Sequence, residues 1–274
     1  MTPGTLAAFL ARNDAVAAVR LVRVRGSSPR DAGVEMFVTA RECFGTIGGG
    51  QLEYMMIDEA RMMLARGEDR AVKDVPLGPE IGQCCGGRVE VAIKRMGWSD
   101  REAALDLAKR ENATLPHVYI FGAGHVGRAL AGFLEQLPVR CVVVDPRAEE
   151  LALCTAQVEL RLSALPEAEI TAAPPNSAFV VLTHDHALDF LLTSEALARA
   201  DAAYVGMIGS ATKRAKFRNW CRDHCGRLTI DRLICPIGAT ESQDKRPAVI
   251  AAFVAAELMK VLTEKETQPT ESAD

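Results

Sequence analysis

The stretch that most restricts what this chain can fold into is Pro116-His117-Val118-Tyr119-Ile120-Phe121-Gly122-Ala123-Gly124-His125-Val126-Gly127-Arg128-Ala129-Leu130. A short apolar run ends in Gly-x-Gly-x-x-Gly, and a helical pattern rich in alanine and leucine follows at once. Strand, glycine turn and helix predict an anion cradle. Gly122 permits the tight turn, Gly124 lets backbone approach a phosphate, and Gly127 lets the helix pack on the strand, with His125 and Val126 between them. The next apolar run, Val139 to Val144, ends at Asp145, eighteen residues beyond Gly127. An acid roughly 20 residues on is the spacing expected of a group that reaches a ribose hydroxyl. Taken alone, this stretch points to an NAD(P)-dependent oxidoreductase.

The pattern continues downstream. Apolar runs at Val118–Phe121, Val139–Val144, Phe179–Thr183 and Ala203–Met207 are each followed by a helical pattern. Such alternation predicts a parallel, doubly wound, Rossmann-like sheet with its ligand at the carboxyl ends of the strands. The first part of the chain reads differently. Leu6, Phe9 and Leu10 suggest a short amphipathic helix, and Ala15–Val24, Val34–Thr39 and the alternating Arg88–Lys94 read as strands. Gln51–Ala65 has Leu52, Met55, Met56, Ala60, Met63 and Leu64 at helical spacing, as a core or an interface face. The fold class is therefore α/β, with an N-terminal α+β domain over residues 1–97 and a Rossmann-like domain over 116–262. Residues 98–115 read as a helical linker and 263–274 as a polar, disordered tail.

Net charge limits the partners. At −4 over 274 residues, with 5% aromatic content, the chain lacks the basic surface and stacking platforms of a nucleic-acid binder. No secretory pattern opens the sequence, and Ala248–Leu262 is interrupted by Glu257 and Lys260 and too short to span a bilayer, so neither membrane nor export is expected. A cytoplasmic location follows, and the 8 cysteines read as thiols. A homodimer is left open.

Four further segments carry candidate chemistry. Gly45-Thr46-Ile47-Gly48-Gly49-Gly50 precedes a helix and is either a second anion cradle or a tight turn in which Glu53 favours the helix dipole. Gly82-Gln83-Cys84-Cys85-Gly86-Gly87 places adjacent thiols in a glycine-dense loop, suited to a persulfide or a soft-metal ligand, or else to a buried strand entrance. Thr183-His184-Asp185-His186 lies at the end of a core strand, where His184 and His186 are placed to contact a phosphate or pterin-like ligand and Asp185 or Thr183 to cap a helix. Gly209-Ser210 with Lys213 and Arg214 forms another strand-to-helix junction suited to an anion. Cys221, His224, Cys225 and Cys235 lack paired Cys-x-x-Cys spacing and read as a half-buried helix face before a zinc site.

Taken in order, these segments resemble the xanthine dehydrogenase accessory family of the XdhC/CoxI type over nearly the whole chain. The resemblance rests on Arg25-Gly-Ser-Ser-Pro-Arg30, Gly45–Gly50 with Leu52-Glu53, Gly82–Gly87, Gly122–Arg128 and Val144-Asp-Pro-Arg147. Thr183–His186, Tyr204–Ser210, Pro236-Ile-Gly238 and Asp244-Lys-Arg-Pro247 complete it. It implies a molybdenum cofactor chaperone and not an enzyme. Such a protein binds the cofactor, supports its sulfuration by a cysteine desulfurase and helps deliver it to the molybdenum subunit of xanthine dehydrogenase. The implied cofactor site takes Gly48, Gly49, Gly50, Gln83, Cys84, Cys85, Gly86, Gly87, Gly122, Gly124, His125, Val126, Gly127, Asp145, His184, His186, Gly209, Ser210 and Lys213. Cys85 is the expected contact to molybdenum or incoming sulfur. The alternatives are the NAD(P)-dependent oxidoreductase and a cysteine-based redox or metal-binding regulator.

Overall fold

In the computed structural model, which describes residues 3–78, 86–226, 228–238 and 244–263, the chain divides into two compact units, Met1–Thr114 and Leu115–Asp274. The first runs α1 (Pro3–Ala11), β1 (Ala17–Arg25), β2 (Glu35–Val38), β3 (Cys43–Gly45), α2 (Gly50–Arg66), β4 (Arg70–Leu77), β5 (Gly87–Arg95) and α3 (Trp98–Ala113). Among the described residues its strands form one antiparallel sheet in the order β3-β2-β1-β5-β4. Alternation along β1 and β5 sends Ala17, Val19, Leu21, Val89, Val91 and Ile93 to one face. There they meet Leu52, Met56, Ala60 and Met63 of α2. The methionines at 56 and 63 are thus core, while Met62 stays 44% exposed.

The other face of the sheet carries Phe37, covered by Leu6, Phe9 and Leu10 of α1 and by Ala108 of α3. The segment expected as a linker is therefore a helix packed within the first unit. Arg101 of α3 also donates to the carbonyls of Leu10 (2.7 Å) and Asp14 (2.5 Å). Strand β4 lies at the sheet edge, where Lys73, on the α2 face and paired with Glu59 (2.9 Å), breaks the apolar alternation of Ala71, Val75 and Leu77 in the sequence.

The second unit runs β6 (His117–Phe121), α4 (His125–Leu134), β7 (Arg140–Asp145), α5 (Ala148–Ala152), β8 (Glu159–Leu162), α6 (Pro166–Ala172) and β9 (Ala178–Val181). It continues with α7 (His186–Ala198), β10 (Tyr204–Met207), α8 (Ala211–His224), β11 (Leu233–Ile234) and α9 (Pro247–Thr263). The strands are parallel, in the order β11-β10-β9-β6-β7-β8. That is the Rossmann order, with its reversal point between β6 and β9. Val118, Ile120 and Val143 face α4 and α9, while Tyr119, Phe121 and Val144 face α6, α7 and α8. Burial on both faces is why these strands read as unbroken apolar runs. The tail expected to be disordered lies, beyond Thr263, outside the described residues. Among the described residues no helix is long and apolar enough to cross a membrane.

Candidate functional site

The reversal point places the carboxyl ends of β6 and β9 side by side, and the glycine turn sits there. Gly122 has φ +118°, and a Cβ on it would lie 2.6 Å from the Leu182 carbonyl oxygen. A Cβ on Gly127 would lie 2.0 Å from the Gly122 carbonyl oxygen. Both glycines are therefore fixed by close packing of α4 on the strand ends. Gly124 differs, because a Cβ there would meet nothing within 4 Å. It caps α4 without a side-chain hydrogen bond. It opens onto a cavity of about 360 Å³ whose wall continues through His125, Val126, Arg147, Glu150, Thr183 and His184. Leu182 and Ile208 supply its apolar side. A helix N-terminus, one guanidinium and two imidazoles around an apolar patch suit an anion attached to a flat ring.

Asp145 lies at the end of β7 and is 1% exposed. Its Oδ2 accepts from the Ala123 N–H (2.7 Å) and from Arg147 Nη2 (3.0 Å). Its Oδ1 accepts from the Arg147 N–H and Nε, each at 3.0 Å. Burial works against ionisation, but the Arg147 fork and the two backbone donors outweigh it and hold this carboxyl below the usual range. The acid spaced for a ribose hydroxyl is thus already engaged within the chain, and a ribose has to displace Arg147 to reach it. The neighbouring carboxylate is also engaged: Glu150 pairs with Arg128 (2.6 Å), which donates in turn to the Ala123 carbonyl (2.5 Å). The partially exposed face of Arg147 is what remains for a ligand.

The ends of β9 and β10 are joined by a second buried network. Asp189, fully buried in α7, accepts at Oδ1 from the Thr183 N–H (2.9 Å) and hydroxyl (2.8 Å). Its Oδ2 pairs with Lys213. Lys213 therefore does not stand free for an anion; it neutralises Asp189 and fixes the Thr183 loop that walls the cavity. Ser210 caps α8 by accepting from the Lys213 N–H (3.3 Å), and Asp185 caps α7 by accepting from the Ala187 N–H (2.7 Å). Gly209, Ser210, His184 and His186 are exposed, and Gly209 packs on the Lys213 stem. Among the described residues no group of three or more His, Cys, Asp or Glu could hold a metal ion.

The glycine turn of the first unit is closed by its own acid. Glu53 Oε2 accepts from the Thr46 hydroxyl (2.5 Å) and from the N–H groups of Ile47 and Gly49 (3.0 Å each). Gly48, Gly49 and Gly50 all have positive φ, and a Cβ on Gly48 would lie 2.9 Å from the Pro29 ring. An internal carboxylate therefore occupies the turn. Gly86 and Gly87 lie beside the Gly26–Ser27 turn, and a Cβ on Gly87 would overlap the Ser27 carbonyl oxygen at 2.1 Å. Gly86 donates to the Leu77 carbonyl (2.7 Å), tying the end of β4 to the start of β5. Gln83, Cys84 and Cys85 lie outside the described residues.

Of the other described thiols, Cys141, Cys221 and Cys235 are core, Cys154 and Cys225 are partly buried, and Cys43 is exposed. Burial pushes Cys221 and Cys141 up to about 12, and Cys235 is also raised by burial despite nearby Lys213 and Arg214. His224 stacks on Trp220, 5.2 Å between ring centroids. Sequence reasoning missed Arg147, Asp189 and Thr183 as the residues that shape the cavity. Arg147 had a readable signal, two positions beyond the acid at a strand end. The partnership of Asp189 with Lys213 spans 24 positions and had none.

Comparison with known proteins agrees with this layout. The family model for the XdhC Rossmann domain matches residues 118–258, and that for the XdhC and CoxI family matches residues 9–75. The uncharacterized protein YqeB of Escherichia coli (strain K12) is 26% identical over 258 residues. The match covers 91% of this chain and 44% of YqeB, so the chain spans less than half of that relative. A crystal structure from Bacillus halodurans, described as a xanthine dehydrogenase, superposes with a TM-score of 0.79 over 98% of each chain. At 18% identity that likeness is one of fold.

Proposed function

The chain belongs to the XdhC and CoxI family of accessory proteins linked to xanthine dehydrogenase maturation, and from that premise we propose that it binds the molybdenum cofactor, supports its sulfuration and delivers it to xanthine dehydrogenase. The observation that carries the reading is the open glycine turn at Gly124 beside an acid already held by Arg147. The turn leaves the N-terminus of α4 uncapped by any side chain, which suits a phosphate. Asp145, buried and engaged, disfavours the ribose of a dinucleotide. The residues fit the group: Gly124, the first turn of α4 and Arg147 would hold its phosphate, and His125, Thr183, His184 and Ile208 would border its pterin. When bound, the cofactor supplies the molybdenum that accepts sulfur. The chain's own part is to orient it and shield it from water. Cys85, with Cys84 as its substitute, is proposed to contact the metal or the incoming sulfur. The desulfurase and the molybdenum subunit are the proposed protein partners.

The test is anaerobic purification followed by metal analysis and oxidative pterin fluorescence. Gly124→Val places a branched side chain in open space, so it should abolish retention of pterin while leaving the thermal melt unchanged. Cys85→Ala should abolish retention or sulfuration. A wild-type protein that binds no pterin and turns over a nicotinamide instead would overturn the proposal in favour of the oxidoreductase.

A further inference from the structure

Strand β8 forms one edge of the second unit's sheet, paired with β7 on one side and with no described strand on the other. Edge strands are usually protected by charge, proline or a cover, because their open backbone groups template further pairing. This one carries Glu159 and Arg161, yet the leucines that alternate with them stay open, Leu160 at 40% and Leu162 at 62% exposed, with Leu165 just beyond the strand at 64%.

The segment Gln157-Val158-Glu159-Leu160-Arg161-Leu162-Ser163 reads with the same chemistry from either end. In an antiparallel pairing centred on Leu160, that residue meets its own copy. Glu159 then faces Arg161, Val158 faces Leu162, and Gln157 faces Ser163. Every position meets a compatible one, and opposite charges across a pair are favourable. Shifting the centre to Arg161 sets that cation against itself, and centring between the two sets Leu160 against Arg161. The faces also agree. Leu160 is level with Val143 of β7, on the side where Val158 packs. Arg161 lies on the opposite side, its guanidinium 5.8 Å from the Tyr119 ring centroid and 2.5 Å from Glu169. Within one copy Arg161 already pairs with Glu159 at 2.7 Å. Two such pairs meeting head to tail make an alternating set of charges.

We infer that the β8 edge is the seat of a second copy of this chain, joined antiparallel about Leu160 so that one sheet runs through both second units. The pairing is isologous and closes as a two-fold dimer, not a filament. It is independent of what the Gly124 cavity holds.

Light scattering on the full chain after gel filtration should give twice the 29.5 kDa chain mass. Leu160→Lys should halve that mass, as should Glu159→Arg, which sets like charges across the axis. Combining Glu159→Arg with Arg161→Glu restores opposite signs and should restore the dimer. Circular dichroism checks that each variant is folded. The wild type is also followed by hydrogen exchange, where the amides of Leu160 and Leu162, which face away from β7, should lose protection on dilution. A monomeric wild type overturns the inference, as does a dimer that survives Leu160→Lys. A folded double-reversal variant that stays monomeric does so too.

Discussion

Two glycine turns lead into helices in this molecule, Gly45–Gly50 into α2 and Gly122–Gly127 into α4, and they have opposite outcomes. Each brings backbone N–H groups together at a helix start. In the first, Glu53 reaches back from the first turn of α2 and accepts from Thr46, Ile47 and Gly49. In the second, α4 has no side-chain cap, and the nearest acids, Asp145 and Glu150, are held by Arg147 and Arg128. A glycine-rich turn shows that donors are accessible. Whether a ligand is wanted depends on whether the chain supplies its own anion.

The sharpest test of this contrast lies within the second turn. Gly127→Ala drives a Cβ into the Gly122 carbonyl, and Gly122→Ala drives one into Leu182 while at positive φ. A backbone overlap of that size has no cheap relief, and a loss of about 3 kcal/mol or more is expected. Thermal melts should show the second unit lost in both variants. Gly124→Ala should melt with the wild type, since its Cβ meets nothing. If all three behave alike, the turn is uniform and its open centre is an illusion of geometry.

Arg147→Ala comes next in size. It removes the fork from a carboxylate that is 1% exposed, at a cost of about 3 kcal/mol. The sign with pH follows. In the wild type, Asp145 is held below its ordinary value, so its contribution is present above about pH 4 and is lost as pH falls through the lowered value. Without the fork, burial dominates and raises the value, so the penalty exists at neutral pH and fades on acidification. The difference between the two melts should therefore be largest near neutrality and shrink toward pH 4. The same variant frees Asp145, and any weak dinucleotide binding should strengthen in titration calorimetry.

These effects mark what could be read from the sequence and what could not. The second unit was legible because its strands are buried on both faces, so that Val118–Phe121 and Val139–Val144 appear as plain apolar runs. β8 escaped notice because Glu159 and Arg161 alternate with its leucines, and β11 because it is two residues long. The phosphate turn was legible through Gly122, Gly124 and Gly127. Its electrostatics were not: Asp145 looks the same in sequence whether it awaits a ribose or grips Arg147. Lys213 likewise looks like a free cation until Asp189 arrives from another helix. Spacing reports backbone reliably, but it reports charge only when both partners lie in one segment, as Thr46 and Glu53 do.

Glu53→Ala tests the contrast from the other side. It takes one carboxylate oxygen from three donors in a half-exposed turn, a loss of about 2 kcal/mol. It should also uncover an anion site, so added phosphate should raise the variant's melting temperature and leave the wild type's unchanged. If phosphate stabilises both equally, Glu53 is not the resident anion.

The smallest expected effect separates conformation from crowding. Gly49 has φ 74° and ψ −173°, a region that essentially only glycine occupies, yet a Cβ there would meet nothing within 4 Å. Gly49→Ala should thus cost about 1–2 kcal/mol from backbone strain alone. Asparagine should not relieve it, because the left-handed helical region that asparagine tolerates is elsewhere. Gly67 provides the control: with φ 73° and ψ 16° it caps α2 in that region, so Gly67→Asn should be nearly neutral. Melts of the two asparagine variants should differ by the strain of the Gly49 turn. Equal melts would mean that the turn relaxes freely, and that Glu53, not glycine, is what holds its shape.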